Sequence, residues 1–464
     1  MQYNNVVIGE RALGMGGAFA AVADDASAGY YNPAGLAHIA GGTLSGSLTV
    51  TAFHSYSVAD GYGSLSFGTT DLEYDSSPSL PVFAGIVKKF GSRDEDEIRR
   101  FAVALSTFHP YQNSYRYTIN FNNDATGISD DLRVSGDETM TWYGPSFAWR
   151  ITPEVAVGIS GFLSTQERIH EEDQTQVTRG VFDGSVFRNA TLSVRESLLD
   201  LQAEHLVFRV GALWHVDDHW RLGLTLQPPA IELSASARVF ERRSFADLLA
   251  EPPVLPYATF YRSDQGELTA SAPIPWEIRA GAAYVDGNLT VALDASLYGP
   301  LGSEDDPVEP YEGLVPDPMS GAVPQPGDFA IQGYYAEMTG NVAIGVDTLI
   351  EEVVPIRAGL FTNFSAAPPI TGPRNYYALA NIHGVGATLA VGVRSGAYDV
   401  SVGALASISR GDGLRRNPNA GSPPQPEQYL PTDVEERTLY FFVTGHRAAV
   451  SGLARGVYDE YIDP

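Results

Sequence analysis

The nine histidines are the side chains of this sequence best suited to acid–base or metal chemistry, and they are scattered along its 464 residues. His215 and His219 form the one pair with a metal-like spacing, and they flank a short polar turn, Val216-Asp217-Asp218. We interpret them as residues that cap this turn in water. The sequence has no cysteine, which excludes disulfides, thiolate metal sites and thiol nucleophiles together.

Other motifs with chemical potential are equally sparse. No Gly-x-Ser-x-Gly elbow is present, and no Ser/His/Asp set is indicated by the spacing. Gly14-x-Gly16-Gly17 superficially resembles a phosphate-binding loop, but it follows no predicted strand and has no accompanying lysine. We therefore predict no catalytic residues, no cofactor and no enzyme activity.

The charge is strongly acidic, with a formal net value of −27. Phosphate binding needs clustered Lys and Arg, so this balance excludes nucleic acid as a partner. Acidic runs at 94–97 and 303–306 fit solvated turns and loops. A divalent cation bound in the 304–309 loop is the alternative for the second run, and we expect no metal there.

Apolar residues recur with period two through most of the chain. Leu222, Leu224 and Leu226 alternate with polar residues or glycine, and the segments at 276–284 and 289–297 repeat the pattern. Such alternation predicts β-strands with one apolar and one polar face. A soluble β-sandwich would show it too, so periodicity alone leaves the choice open. No apolar run of 18 or more residues predicts a transmembrane helix.

The spacing of the predicted strands decides between these folds. Long connections at 113–137, 167–200, 232–274, 300–336 and 411–435 alternate with turns of one to four residues. An outer-membrane barrel has this alternation, because its periplasmic turns are short and its external loops are long. We therefore predict an all-β fold, a 14-stranded antiparallel transmembrane β-barrel. The predicted strands are 43–58, 79–90, 98–112, 138–151, 154–166, 201–215, 219–231, 275–286, 288–299, 337–349, 354–366, 380–394, 396–410 and 436–446.

Charged residues within these strands lie on the parity opposite to the apolar row of the same strand. They are Arg209, Arg221, Glu277, Arg279, Asp294 and Arg357. An Arg or Lys that faces lipid at mid-membrane costs about 2–4 kcal/mol, so we expect all six to face the lumen. There they pair with each other and with the N-terminal segment, or else contact a ligand.

The N-terminal forty residues are rich in Gly and Ala and too poor in large apolar side chains to form a core. The run Tyr30-Tyr31-Asn32-Pro33-Ala34-Gly35-Leu36-Ala37 closely resembles the hatch of the FadL/TodX family of outer-membrane transporters for hydrophobic compounds. The stretches 275–284 and 356–368 also resemble this family. The resemblance implies a hatch at 1–42 that plugs the lumen, a barrel at 43–446 and a periplasmic tail at 447–464.

The family also implies a location and a function. We expect a multi-pass barrel in the Gram-negative outer membrane that takes up long-chain fatty acids or hydrocarbons and releases them sideways into the bilayer. Hydrophobic small molecules or lipids, and outer-membrane lipid and lipopolysaccharide, are the expected partners. Met1–Asn5 lack the features of a signal peptide, so membership of this family implies that the numbering starts on a processed or re-engineered chain.

Two sites are predicted for gating. We expect Asn32, Pro33, Ala34 and Gly35 to form the moving part of the gate, with a static turn as the alternative. Pro110 follows His109 in the third strand, and because proline donates no ladder hydrogen bond we expect disturbed pairing near 106–111. This position is our candidate for the lateral opening, and a simple strand end is the alternative.

A third site is predicted in the connection 232–274. Residues 244–250 have the pattern of a short amphipathic helix, followed by a proline-rich apolar stretch. Its large apolar residues either pack on a neighbouring loop or line an external groove that collects apolar ligands. These candidates are Phe245, Leu248, Leu249, Val254, Leu255 and Phe260.

Two other functional classes stay open at this point. The sequence of the N-terminal motif is also typical of FadL-like barrels of the PorV type, which serve as scaffolds for secretion or surface-attachment machines. Such a barrel would bind a protein partner on its external loops. A simple diffusion pore is the third class, and an intact hatch disfavours it.

Overall fold

The computed structural model describes most of the chain, and the statements below concern that part. The described residues are 3, 7–39, 41–64, 68–76, 82–93, 98–123, 128–178, 181–182, 187–188, 191–247, 257–311, 334–373, 379–395, 398–416 and 429–448. The predicted periplasmic tail at 447–464 therefore lies almost entirely outside them.

The protein is built from antiparallel β-strands. Their bounds are β1 Thr43–Ser64, β2 Gly68–Ser76, β3 Val82–Arg93, β4 Arg99–Asn123, β5 Ile128–Arg150, β6 Val155–Thr178, β7 Val181–Phe182, β8 Phe187–Arg188, β9 Thr191–His215, β10 Trp220–Gln227, β11 Ile231–Asp247, β12 Tyr257–Thr269, β13 Glu277–Asp286, β14 Leu289–Tyr298, β15 Thr339–Ile350, β16 Val354–Asn363, β17 Asn381–Ser395, β18 Tyr398–Arg416 and β19 Tyr429–Ala448.

These segments form a closed barrel of 14 wall strands. β2 and β3 both pair with β1 and are successive parts of one wall strand. β10 and β11 likewise both pair with β9 and are parts of one wall strand. β12 pairs with β11 and β13 pairs with β10, so β12 and β13 are parts of the next wall strand. The barrel closes where β1 pairs with β19, from Thr43 opposite Ala448 to Val58 opposite Val434. The predicted all-β, 14-stranded antiparallel barrel is confirmed.

The wall has an apolar outer face and a polar inner face. On β10, Leu222, Leu224 and Leu226 are 42–44% exposed, whereas Thr225 and Gln227 are buried. Trp149, Trp214, Trp220 and Tyr398 are exposed near the short turns, where outer-membrane barrels carry an aromatic girdle. The alternation therefore gives each strand one side for lipid and one side for the lumen.

Several predicted external loops are wrong, because the strands continue through them. The segment 113–137 belongs largely to β4 and β5, which pair as far as Asn123 opposite Ile128. The segments 167–200, 232–274 and 411–435 likewise contain long parts of β6, β9, β11, β12, β18 and β19. Polar residues are frequent in these segments, and the remaining alternation, such as Tyr115, Tyr117, Ile119 and Phe121 on β4, was outweighed by the expectation of long polar loops.

Helices are short and confined to the N-terminal segment within the described part of the chain. They are α1 at Arg11–Gly14, α2 at Ala28–Tyr31 and a 3₁₀ helix at Pro33–His38. The helix predicted at 244–250 is wrong for 244–247, because β11 continues to Asp247 and pairs with β12, and 248–250 lie outside the described residues. Among the described residues, no helix is long and apolar enough to cross a membrane.

The N-terminal segment, residues 7–39, lies against the inner face of the wall. Ser160 Oγ on β6 donates to Gly29 O at 2.8 Å, and Thr388 Oγ1 on β17 donates to Gly14 O at 2.8 Å. Phe19, Met15 and Leu36 of this segment are fully buried. Contacts to widely separated strands hold the segment in place even though it has little core of its own.

Candidate functional site: the lumen and its wall

The turn at Asn32–Gly35 is bonded to the wall as well as to itself. Asn32 is fully buried, and its Nδ2 donates to Ala20 O at 2.8 Å and to Ala212 O of β9 at 2.9 Å. Its Oδ1 accepts from Ala34 N at 3.1 Å, which caps the 3₁₀ helix that begins at Pro33. The Asn32 side chain therefore joins three pieces of backbone, and any movement of the turn must break these bonds.

Pairs of directly opposed glycines allow the N-terminal segment to touch the wall. Gly158 and Gly211 pair beneath the turn, where a Cβ on Gly158 would lie 2.5 Å from Pro33 C and one on Gly211 2.1 Å from Asn32 Oδ1. The pairs Gly223/Gly281 and Gly345/Gly359 lie beneath Ala20 and Met15. Any larger residue at these positions would occupy the space of the N-terminal backbone.

A buried ionic cluster lies beneath α2. Arg209 Nη2 is 2.5 Å from Glu277 Oε2, and Arg279 Nη2 is 2.8 Å from Glu277 Oε1. The Arg209 guanidinium also donates to Tyr30 O and stacks over the Tyr30 ring at 4.2 Å. All three charged residues are at most 5% exposed. One carboxylate thus balances two guanidinium groups, and Tyr30 covers them.

A second ionic cluster fixes the start of the segment. Arg11 Nε donates to Asp347 Oδ2 of β15 at 2.8 Å, and Arg11 also pairs with Asp24. Arg357 lies behind Asp347 and donates to Asp399 Oδ2 at 3.0 Å. The expectation that the charged strand residues pair with each other and with the N-terminal segment is confirmed for Arg209, Glu277, Arg279 and Arg357. It is also confirmed for Asp294, whose Oδ2 accepts from Phe19 N and Ala20 N.

His38 ends the 3₁₀ helix in a cationic environment. Its ring lies 4.0 Å from the ring of His215, measured between centroids. Burial, followed by the nearby His215, Arg150, Arg221 and Lys89, lowers the pKa of His38 to about 2. Neutral His38 is therefore the form that fits this position.

β4 has a bulge at His109 and Pro110. Pairing with β5 shifts register between Phe108 and Tyr111, and regular pairing resumes at Tyr111 opposite Met140. On the other side, the described pairing with β3 ends at Thr107 opposite Ala84. The disturbed pairing expected near 106–111 is therefore present. It follows from the bulge together with the proline, which offers no N–H to the ladder.

Aromatic side chains line the lumen beside this bulge. Phe108 is fully buried, stacks on Phe83 at 5.3 Å and contacts Phe162 edge-on at 5.4 Å. Tyr30 of the N-terminal segment contacts the same ring at 5.6 Å. Apolar surface thus extends from the N-terminal segment to the bulged part of β4.

The predicted external groove is only partly described. Phe245 lies on β11 opposite Thr259, and Phe260 lies on β12 opposite Ser244. Leu248, Leu249, Val254 and Leu255 fall at 248–256, outside the described residues. The groove therefore stays a prediction.

The predicted role of the histidine pair as turn caps is wrong. Asp217 Oδ1 caps the turn by accepting from His219 N and Trp220 N, both at 2.8 Å. His215 and His219 diverge, since His215 stacks on His38 while His219 stacks on Tyr284. The nearby carboxylate can accept from two backbone N–H groups at once, which an imidazole ring cannot.

One set of metal-type ligands converges within the described residues, and it joins the N-terminal segment to the wall. Glu10, Asp399 and His446 place one ligand atom each within 4.8 Å of the others. Asp399 is already paired with Arg357 and Arg394, and His446 Nδ1 is 2.8 Å from Glu10 Oε1. These partners account for the three groups without a cation.

Comparison with known proteins decides the family. The model of the outer membrane protein transport family (OMPP1/FadL/TodX) matches residues 2–295, which is more than half of the chain. The chain belongs to the FadL/TodX family. Its place is accordingly the Gram-negative outer membrane, and its family transports hydrophobic compounds. No curated protein matches the sequence.

Solved FadL/TodX structures share the fold at low identity. A Pseudomonas aeruginosa FadL homologue is 13% identical, with a TM-score of 0.60 over 97% of this chain and 100% of that one. The Pseudomonas putida toluene transporter TodX is 12% identical, with a TM-score of 0.56 over 95% and 98%. The CymD monoaromatic hydrocarbon channel is also 12% identical, with a TM-score of 0.52 over 96% and 99%. At these identities the likeness concerns the fold.

Sequence reasoning missed the glycine pairs and the residues that receive the N-terminal backbone. Thr225 Oγ1 donates to Tyr31 O at 2.8 Å, and Ser160 and Thr388 act in the same way. The available signal was a Gly next to a Ser or Thr among the inward positions of some of these strands, such as Gly158 and Ser160 on β6 and Gly223 and Thr225 on β10. That signal identifies small residues but not the partner that they face.

Proposed function

We propose that this protein takes up hydrophobic small molecules across the outer membrane and releases them sideways through its wall at β4. The observation that carries the proposal is a contrast within the lumen. The N-terminal segment bonds to many wall strands, whereas β4 carries a bulge at His109 and Pro110, where its register with β5 shifts. With the segment acting as a plug, the bulged part of the wall is the favoured route out.

The physics of this route favours apolar cargo. Lipopolysaccharide presents a polar, charged layer that a hydrophobic molecule crosses slowly, and the barrel carries such a molecule past that layer. Release into the hydrocarbon core then gains about 0.8 kcal/mol for each methylene removed from water. The energy for transport therefore comes from partition into the bilayer, and no cofactor is needed.

The division of the chain follows from the same proposal. Residues 1–42 serve as the plug, 43–446 as the barrel wall and 447–464 as a periplasmic tail. Phe245 and Phe260, on the long β11–β12 hairpin, belong to an external surface that collects cargo. The turn at Asn32–Gly35 shifts when cargo binds and opens the way to β4.

Uptake by cells tests this function. Cells that lack related transporters should accumulate ¹⁴C-toluene or ¹⁴C-oleate faster when they express this protein, whereas ¹⁴C-sucrose should enter at the vector rate. The proposal would be contradicted if both hydrophobic probes entered the expressing cells at the vector rate while heat-modifiable migration showed that the protein was folded. Rapid sucrose entry would indicate an open pore instead.

A further inference from the structure

Phe108 is the last residue of β4 that pairs regularly before the bulge, and it lies opposite Trp142 of β5. Ser106, two residues earlier on the same face of the strand, is buried and donates to the N-terminal segment. Phe108 is fully buried as well. Its ring therefore projects into the lumen, directly in front of His109 and Pro110, where the register of the wall shifts.

Side chains of β3 and β6 and the helix α2 of the N-terminal segment enclose this ring. Phe108 stacks on Phe83 of β3 at 5.3 Å and meets Phe162 of β6 edge-on at 5.4 Å, measured between ring centroids. The Tyr30 ring of α2 lies 5.6 Å away, and a Cβ on Gly29 would lie 3.8 Å from Phe108 Cζ. Phe108 thus brings the bulged wall strand into contact with the N-terminal segment.

Tyr30 and Phe108 are held by different kinds of contact. The Tyr30 ring lies 4.2 Å from the Arg209 guanidinium carbon, and Arg209 also donates to Tyr30 O and pairs with Glu277. The Phe108 side chain is apolar, so its ring is held by packing and can turn without breaking a hydrogen bond. A shift of α2 would remove Tyr30 from one side of the Phe108 ring and leave space for that turn.

Cargo that leaves the lumen through the bulge must pass the Phe108 ring. The regular pairs Phe108 with Trp142 and Tyr111 with Met140 bound the bulge on the β5 side. The ring is fully buried in front of this gap, so it covers the inner side of the bulge while Tyr30 is in place. A ring that turns aside uncovers the bulge, and the space that it vacates limits the width of what can follow.

We propose that Phe108 is the gate of the lateral path and determines how wide a cargo molecule can pass. This proposal rests on the proposed release at β4 and adds the residue that controls it. In the closed state the ring packs between Phe83, Phe162 and Tyr30. When the N-terminal segment shifts, Tyr30 withdraws, the Phe108 ring turns into the vacated space, and the bulge becomes accessible from the lumen.

The test compares the uptake of a narrow and a wide probe, ¹⁴C-toluene and ¹⁴C-naphthalene, by cells that express the full-length protein. If the wild type transports oleate instead, ¹⁴C-oleate and methyl-branched ¹⁴C-phytanate serve as the pair. Phe108→Ala removes the ring, Phe108→Leu keeps apolar bulk without a ring, and Phe108→Trp enlarges the ring. Phe442→Ala on β19 is the matched control, because Phe442 is also buried but belongs to a separate apolar cluster.

We expect the ratio of wide-probe to narrow-probe uptake to rise about tenfold in Phe108→Ala, the change that the loss of one or two ring contacts implies. Phe108→Leu should raise this ratio less and Phe108→Trp should lower it, whereas Phe442→Ala should keep the wild-type ratio. A structural role alone would lower the uptake of both probes together and leave the ratio unchanged. Heat-modifiable migration verifies that each variant is folded, and Phe108→Leu decides the test if Phe108→Ala does not fold.

An unchanged ratio in the folded Phe108 variants would overturn the gate. A change in the same direction in Phe108→Leu and Phe108→Trp would overturn it as well. In both cases, uptake of the narrow probe by the wild type above the vector rate would keep the uptake function intact. Uptake of every probe by the wild type at the vector rate would instead contradict that function.

Discussion

The N-terminal segment and the upper part of β4 are opposites in how they are held. The turn at Asn32–Gly35 lies in the lumen with Asn32 fully buried and bonded to β9. β4 belongs to the wall itself, yet its register with β5 shifts at His109 and Pro110. The regular ladder of the wall is thus distorted at this point, whereas specific bonds fix the turn that the wall encloses.

This difference suggests that the N-terminal segment closes the lumen and that β4 serves the release of cargo. The N-terminal segment depends on buried charges and on glycine pairs that fit one backbone path, so it loses much when any of these contacts is changed. The bulge on β4 departs from the regular ladder, and we expect the wall to rearrange more easily there. We therefore expect changes beneath the plug to affect stability and leakage, and changes at β4 to affect release of cargo.

Loss of the Glu277 charge should have the largest effect on stability. Glu277→Gln leaves the buried Arg209 and Arg279 without their anion, and breaking a buried pair costs about 3–5 kcal/mol. The free energy of unfolding, measured by guanidinium titration in detergent, should fall by that amount. Glu435→Gln is the control, because its partner Arg410 is 66% exposed and such pairs contribute about 0–1 kcal/mol. Equal losses in the two variants would contradict the role of the cluster.

A side chain at Gly158 should expel the turn from the wall. The Cβ of Gly158→Val would lie 2.5 Å from Pro33 C, whereas Gly161 on the same strand has only ordinary contacts with Phe208, at 3.5 Å and beyond. Overpacking of this kind costs about 1–3 kcal/mol. We expect ion conductance in planar bilayers for Gly158→Val and none for Gly161→Val. A Gly158→Val barrel that stays closed would show that the turn can move aside without opening the lumen.

Acidification should loosen the end of the 3₁₀ helix. The pKa of His38 is lowered to about 2 in the folded protein from an ordinary 6.5, so its stabilising contribution is present above pH 6.5 and is lost as pH falls. The loss is about 1.4 kcal/mol for each pH unit below 6.5. Hydrogen exchange at 33–38, corrected for intrinsic rates, should accelerate between pH 7 and 5.5. The same acceleration in His38→Gln would assign the effect to another group.

Removal of the Asn32 side chain should affect stability least. Asn32→Ala breaks bonds to Ala20, Ala212 and Ala34, but the backbone ladder of the barrel remains. We expect little change in the unfolding midpoint and an altered rate of hydrophobe uptake. Unchanged uptake at normal surface expression would show that the turn has a structural role alone.

The sequence predicts the wall better than it predicts the lumen. Leu222, Leu224 and Leu226 must face lipid, so their alternation predicts the strand and its orientation. Within 113–137, Tyr115, Tyr117, Ile119 and Phe121 also alternate with polar residues and indicate a strand, but the expectation of long polar loops led us to assign this stretch to a loop. The positions of Asn341 and Asp294 beside the N-terminal segment depend on contacts across hundreds of residues, and no local spacing encodes them.

Deletion of His109 tests most directly whether cargo is released through the wall at β4. The deletion removes the extra residue of the bulge and allows β4 and β5 to pair in a single register past this point. His109→Ala, which keeps the bulge, is the matched control. Uptake of ¹⁴C-toluene or ¹⁴C-oleate, whichever the wild type transports, should fall at least tenfold in the deletion variant and stay near wild type in His109→Ala. Undiminished uptake by a folded deletion variant would contradict lateral release at β4.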